Sequence, residues 1–331
     1  MPTGTLRRRF GLVTAGVAAA VAVTLVTGLA QPDRAAARGT PVTTGLVSTL
    51  LSPLEQLVGE IDPVVRAQLP LDSRLYGAYE TRPTPSRCEN GAWGCIDVTI
   101  GDMTRRFDRL APSCNHDAIF SLLYLRVTEY YKVFAATPGN FLDPRKVNYE
   151  DAVFSDLYTG AFDDWHAGQP GQVPPIWRLA FAAADTRQVS ATGDALLGMA
   201  AHILRDLPFT LYHIGLVDHR DHLAVNRMLQ DVYKPAVDEL ARRFDPTMDD
   251  AAIVPGTDQT FMQVVVQWRE QGWRNAQALA AAPDAATRQQ VADRIEREAW
   301  ATGLTLYLGT RYPVQAMTVT RDAYCATHWN T

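Results

Sequence analysis

From Asp97 to Leu308 the chain is a near-unbroken succession of segments whose apolar residues recur at helical spacing. This is the pattern of side chains lining one face of a 3.6-residue turn. It predicts helices over Asp97–Leu110, Asn115–Ala135, Tyr149–Trp165, Ile176–Ala184, Gly193–Leu207, Asp218–Phe244, Asp258–Ala281 and Asp284–Leu308. Turn-forming stretches such as TPGN and AGQPGQVPP separate them. Pro235 either bends the helix over Asp218–Phe244 or starts a new one. The short run QAMTVT near the end is the one tempting strand pattern. Few loops are long enough to link domains, so the expectation is all-α: a single large helical bundle over residues 49–331. The segments Asn115–Ala135 and Gly193–Leu207 are apolar over more than one face, as central helices must be.

The first 37 residues differ in kind. Arg7, Arg8 and Arg9 precede an apolar run from about Gly11 to Ala30, and small residues such as Ala35-Ala36-Ala37 follow. That order is the pattern of a secretory signal peptide. The run also approaches the length of a membrane span, but the small residues beyond it favour cleavage. Residues 38–48 then form a flexible tail, and the mature protein is expected to be secreted without stable membrane insertion. Removing residues 1–37 takes away four arginines and one aspartate, which moves the net charge from −5 to −8. An acidic total without a clustered basic surface argues against nucleic-acid partners.

Cys88, Cys95, Cys114 and Cys325 form an even set, which in an exported chain favours disulfides. The segment RCENGAWGCI suits a short Cys88–Cys95 closure, leaving Cys114 to Cys325. The irregular region from Leu71 to Gly94 would then be a stapled loop near the N-terminus. A four-cysteine zinc site is a poor alternative, because the spacing lacks paired tight knuckles.

Chemistry-bearing residues sit inside the apolar helices. In AHILRDLPFTLYHIG, His202 and Asp206 are four apart and share a face, and a continuous helix would return His213 to it. Pro208 opposes continuity by removing a backbone donor. In DHRDHLAVN, His219, His222 and Asn226 form a polar stripe. In SCNHDAIFSLLYLRVTEYY, His116 and Asp117 open a helix that carries Arg126 and Glu129.

The phrases SCNHDAIFSLLYLRVTEYY, GDALLGMAAHILRDLPFTLYHIG and HLAVNRMLQDVY resemble an uncharacterised, mostly actinobacterial family, domain of unknown function 5995, over about residues 95 to 325. The resemblance implies a helical domain and brings no activity with it. Polar positions it carries onto this chain are His116, Asp117, Arg126, Glu129, His202, Arg205, Asp206 and Asn226; Ala201 stands where the family pattern has asparagine. HILRD is also distantly similar to the His-x3-Asp helix of zinc-dependent phospholipases C and related single-strand nucleases. The step from Asp206 to His213 is longer than in those enzymes.

Two functions from different classes follow. One is a secreted metal-dependent hydrolase of a phosphate or other ester, holding zinc or another divalent ion on His116, His202, Asp206 and His213. In it Arg126, Arg205 and Glu129 would act on a small anionic or ester substrate. The alternative is a non-catalytic secreted binding or structural protein, in which the same His, Asp, Arg and Glu side chains form a buried paired network.

Overall fold

The structure, a computed structural model, describes residues 62–68, 88–248 and 257–331 apart from 313 and 315. The expected signal peptide and tail, residues 1–48, and most of the expected stapled loop lie outside the described residues. What is described is all-helical. Its elements are α1 Pro63–Arg66, α2 Gly94–Leu110, α3 Ala118–Ala136, α4 Pro144–His166, α5 Pro175–Asp185 and α6 Ala191–Ala200. A π-helical turn over Ala201–Asp206 leads into α7 Leu207–Ile214, followed by α8 His219–Arg243, α9 Thr257–Ala281, α10 Ala285–Thr310 and α11 Ala316–His328. Among the described residues the one extended pairing is an isolated antiparallel bridge between Val189 and Arg311.

The helix starts follow local chemistry. Asp62, Asp143, Ser190, Asp218 and Asp284 each accept a backbone N–H of the first turn that follows, satisfying donors that have no intrahelical partner. Asp62 and Asp143 are each followed by proline, whose missing N–H costs nothing at the first helical position. Pro235 lies inside α8, which runs through it from His219 to Arg243.

Two departures from the sequence expectation are physically instructive. Residues 316–320 of QAMTVT are not a strand, because α11 starts at Ala316 and its buried side chains Thr318, Arg321 and Cys325 recur at three- and four-residue steps. Its threonine and valine residues take the helix that this buried face and the disulfide at Cys325 demand. The segment Gly193–Leu207 does not end before Pro208 either. The π turn hands over to α7, with the Leu207 N–H bonding back to the His202 carbonyl, and the proline falls in the first turn of α7. Gly215, at φ +78°, then closes α7 in the left-handed conformation.

Both disulfides expected from the sequence form, Cys88–Cys95 and Cys114–Cys325, with Cα–Cα separations of 5.6 and 6.0 Å. The second ties α11 to the start of the central helix α3. From Ala118 to Leu125 every side chain of α3 is buried, as its all-round apolar sequence predicts. The helix packs against α2, α6 and α8. The π turn is the other centre of the bundle and touches α4, α5, α9 and α10.

Candidate functional site

Between α3, α4, the π turn, α8 and α9 lies a cavity of about 120 Å³ that opens in part to solvent. Its walls are mainly apolar, with Phe120, Phe154, Met228 and Val265 among them. Set into those walls are Tyr124, Glu150, Asp151, His202 and Arg269. Ionisable groups in an apolar hollow are the combination that marks a binding or reaction site.

His202 projects from the π turn and is 4% exposed. Its ring stacks on Phe154, with centroids 3.4 Å apart and planes 11° from parallel, and meets Tyr124 edge-on at 4.5 Å. Its Nδ1 lies 3.1 Å from Asp206 Oδ2, which also accepts from the Trp177 indole at 2.8 Å. Asp206 Oδ1 accepts from Arg205 Nη1 at 3.0 Å, and Arg205 Nε donates to Glu296 on α10 at 2.9 Å. Burial pushes the His202 pKa below 6.5 despite the opposing pull of Asp206, so the imidazole is neutral. Nδ1 faces an oxygen that can only accept, so it carries the ring hydrogen. Nε2 is therefore a lone pair, and it is buried without a hydrogen-bond partner.

Glu150 and Asp151 come from α4. Burial raises the Glu150 carboxyl to about 7, with Arg269 opposing the shift and Asp221 adding to it. The side chain is 5% exposed, and its Oε2 has no partner. Asp151 is also raised to about 7, by desolvation first and then by the neighbouring Glu150, although it keeps part of its surface open to solvent. Arg269, on α9, is held by Asn226 Oδ1 at 2.8 Å and the His222 carbonyl at 3.2 Å. Tyr124 is 5% exposed with its hydroxyl unpartnered, and burial first, then nearby carboxylates, raise its pKa well above 10.

The residues singled out in the sequence divide among different surroundings. The structure joins His202, Arg205 and Asp206 in one buried network. His116 lies instead at the start of α3, with Nε2 3.1 Å from Asp322 on α11 and Nδ1 3.0 Å from Arg321, which also holds Asp194 at 2.7 Å. Arg126 grips Glu239 of α8 through two bonds of 2.6 and 2.8 Å and Glu129 through a third of 2.7 Å, on a partly exposed face. His213 points toward the surface near Tyr149, 3.5 Å away. His219 and His222 stack on one another, and His219 pairs with Glu270. Among the described residues no group of three or more His, Cys, Asp and Glu side chains is arranged to hold a metal ion.

Sequence reasoning passed over Glu150, Asp151 and Arg269. On α4 Glu150 is buried and Asp151 half-buried, both on the wall of the cavity. A signal was available in the position of Glu150, which sits between Val147 and Val153 on the buried side of α4.

Residues 96–308 match the family of unknown function DUF5995, and the chain belongs to that family. The matched span takes in α3 through α10, and hence every side chain of the cavity and of the His202–Asp206 network. Searches of curated proteins and of solved structures give no match. No helix among the described residues is long and apolar enough to cross a membrane.

Proposed function

We propose that this chain is a secreted, non-catalytic binding protein whose internal cavity takes a small, largely apolar molecule. The observation that carries this reading is the cavity itself, apolar in its walls and set with a few buried polar groups. The buried Asp206–Arg205–Glu296 network supports it by holding His202, which lines the cavity, in place from behind. Export rests on the basic start and apolar run of residues 1–37 and agrees with the two disulfides, which persist in oxidising compartments.

The metal-dependent hydrolase draws less support. The His202 Nδ1 and both Asp206 oxygens are already engaged by protein groups, and a cation there would have to compete with the Arg205 guanidinium. The test is calorimetric titration with biphenyl as a neutral apolar probe, paired with thermal melts. Saturable binding and a raised melting temperature are expected, since a ligand at about 100 times its Kd stabilises the folded state by roughly 2.7 kcal/mol. Absence of binding, together with a chelator-sensitive melting temperature, would return the hydrolase to first place.

A further inference from the structure

Three polar atoms of the cavity residues have no hydrogen-bond partner: His202 Nε2, Tyr124 Oη and Glu150 Oε2. Buried polar atoms in native proteins are nearly always paired, so several orphans around one hollow mark a place where something else supplies the partner. Their chemistry limits what that is. His202 Nε2 is an acceptor, for the reasons given above, and requires an O–H or N–H from the occupant. The Tyr124 hydroxyl stays protonated and offers a donor on the same wall, its ring in edge contact with that of His202. A hydroxyl group both donates and accepts. Glu150 and Asp151 share the cavity with Arg269, so its wall carries groups of both signs and favours a neutral head group over a charged one.

We propose that the ligand is a neutral apolar alcohol or phenol whose hydroxyl donates to His202 Nε2 and accepts from the Tyr124 hydroxyl. This rests on the cavity being a ligand site, as argued above, and narrows the class of molecule that fills it. Phe154, stacked on the imidazole, fixes the ring plane and with it the direction of the Nε2 lone pair. Asp206 fixes the tautomer, so the acceptor is presented before any ligand arrives.

The experiment compares four probes of one shape on the intact protein by calorimetric titration: biphenyl, para-methoxybiphenyl, para-phenylphenol and para-phenylbenzylamine. The phenol is expected to bind about tenfold or more tighter than the methyl ether, which has the same oxygen but no hydrogen to give Nε2. His202→Phe should abolish that preference. Tyr124→Phe, which deletes only an unpartnered hydroxyl and leaves the fold's hydrogen bonds intact, should weaken phenol and ether alike several-fold and keep the preference between them. The comparison of phenol with ether in the unmutated protein needs no variant to fold. Equal affinity for phenol and ether would overturn the inference while leaving the cavity a binding site, its orphan atoms then being served by water. Tightest binding of the amine would overturn it in favour of a cation held by Glu150 and Asp151. If none of the four binds, the ligand-site reading falls and this inference with it.

Discussion

His202 Nδ1 lies 3.1 Å from Asp206 Oδ2, one turn further along the same π-helical segment. A π turn adds a residue to the helical ring and is found mostly where function needs a side chain re-aimed. Here it centres the pair between α4, α5, α9 and α10. Asp206 also takes the Trp177 indole and Arg205, so Asp206→Ala removes the acceptor of three buried donors and leaves Arg205 with Glu296 but without its second carboxylate. Urea unfolding should show a loss of about 3–5 kcal/mol. Trp177→Phe keeps most of the ring and removes one donor, and should cost only about 1–2 kcal/mol. Arg126→Ala, on its partly exposed face, should fall at or below the lower of those figures.

Cys114–Cys325 closes a loop with a sequence separation of 211, whereas Cys88–Cys95 spans only 7. The chain-entropy contribution grows with loop length and reaches roughly 5 kcal/mol for the long loop as an upper figure. Replacing Cys114 and Cys325 by serine should therefore lower the melting temperature more than replacing Cys88 and Cys95. Peptide mapping without reduction should recover the Cys114–Cys325 fragment.

Stability should depend on pH through Glu150. Its folded-state pKa, raised to about 7 by burial, exceeds the ordinary 4.5, so between these values the folded protein keeps a proton that the unfolded chain has lost. The contribution to stability is then fully present below about 4.5 and is lost as pH rises through about 7. Glu150→Gln removes the titration. Its stability relative to the parent should climb between those pH values by roughly 3 kcal/mol and level off above them. Urea midpoints measured across that range for both proteins check it, and parallel curves would show that Glu150 does not carry the shift.

Gly91 joins the Cys88–Cys95 loop to α4. It sits at φ +63°, a left-handed conformation that side chains disfavour, and a Cβ there would overlap the backbone carbonyl of Arg145. Its own carbonyl accepts from Asn148 Nδ2 at 3.2 Å. Gly91→Ala must therefore both strain the turn and lift it from α4. A loss of at least about 2 kcal/mol is expected in urea unfolding.

The sequence by itself determined the helices, because hydrogen bonds within a helix and its caps link residues at most a few positions apart. The periodic apolar runs, the Cys88–Cys95 closure and the shared face of His202 and Asp206 were legible at that range, and the Cys114–Cys325 pair followed from the two cysteines that remained. Tertiary structure decided the rest. Residues 316–320 became helix because burial of Arg321 and the Cys325 bridge outweighed the strand preference of their threonines and valine. Packing also separated His116 from His202, giving the first to Asp322 and Arg321 of α11 and the second to a cavity wall. Glu150, His202 and Arg269 stand far apart in the chain, on α4, the π turn and α9. No local pattern encodes their meeting, because it depends on how those helices pack around α3.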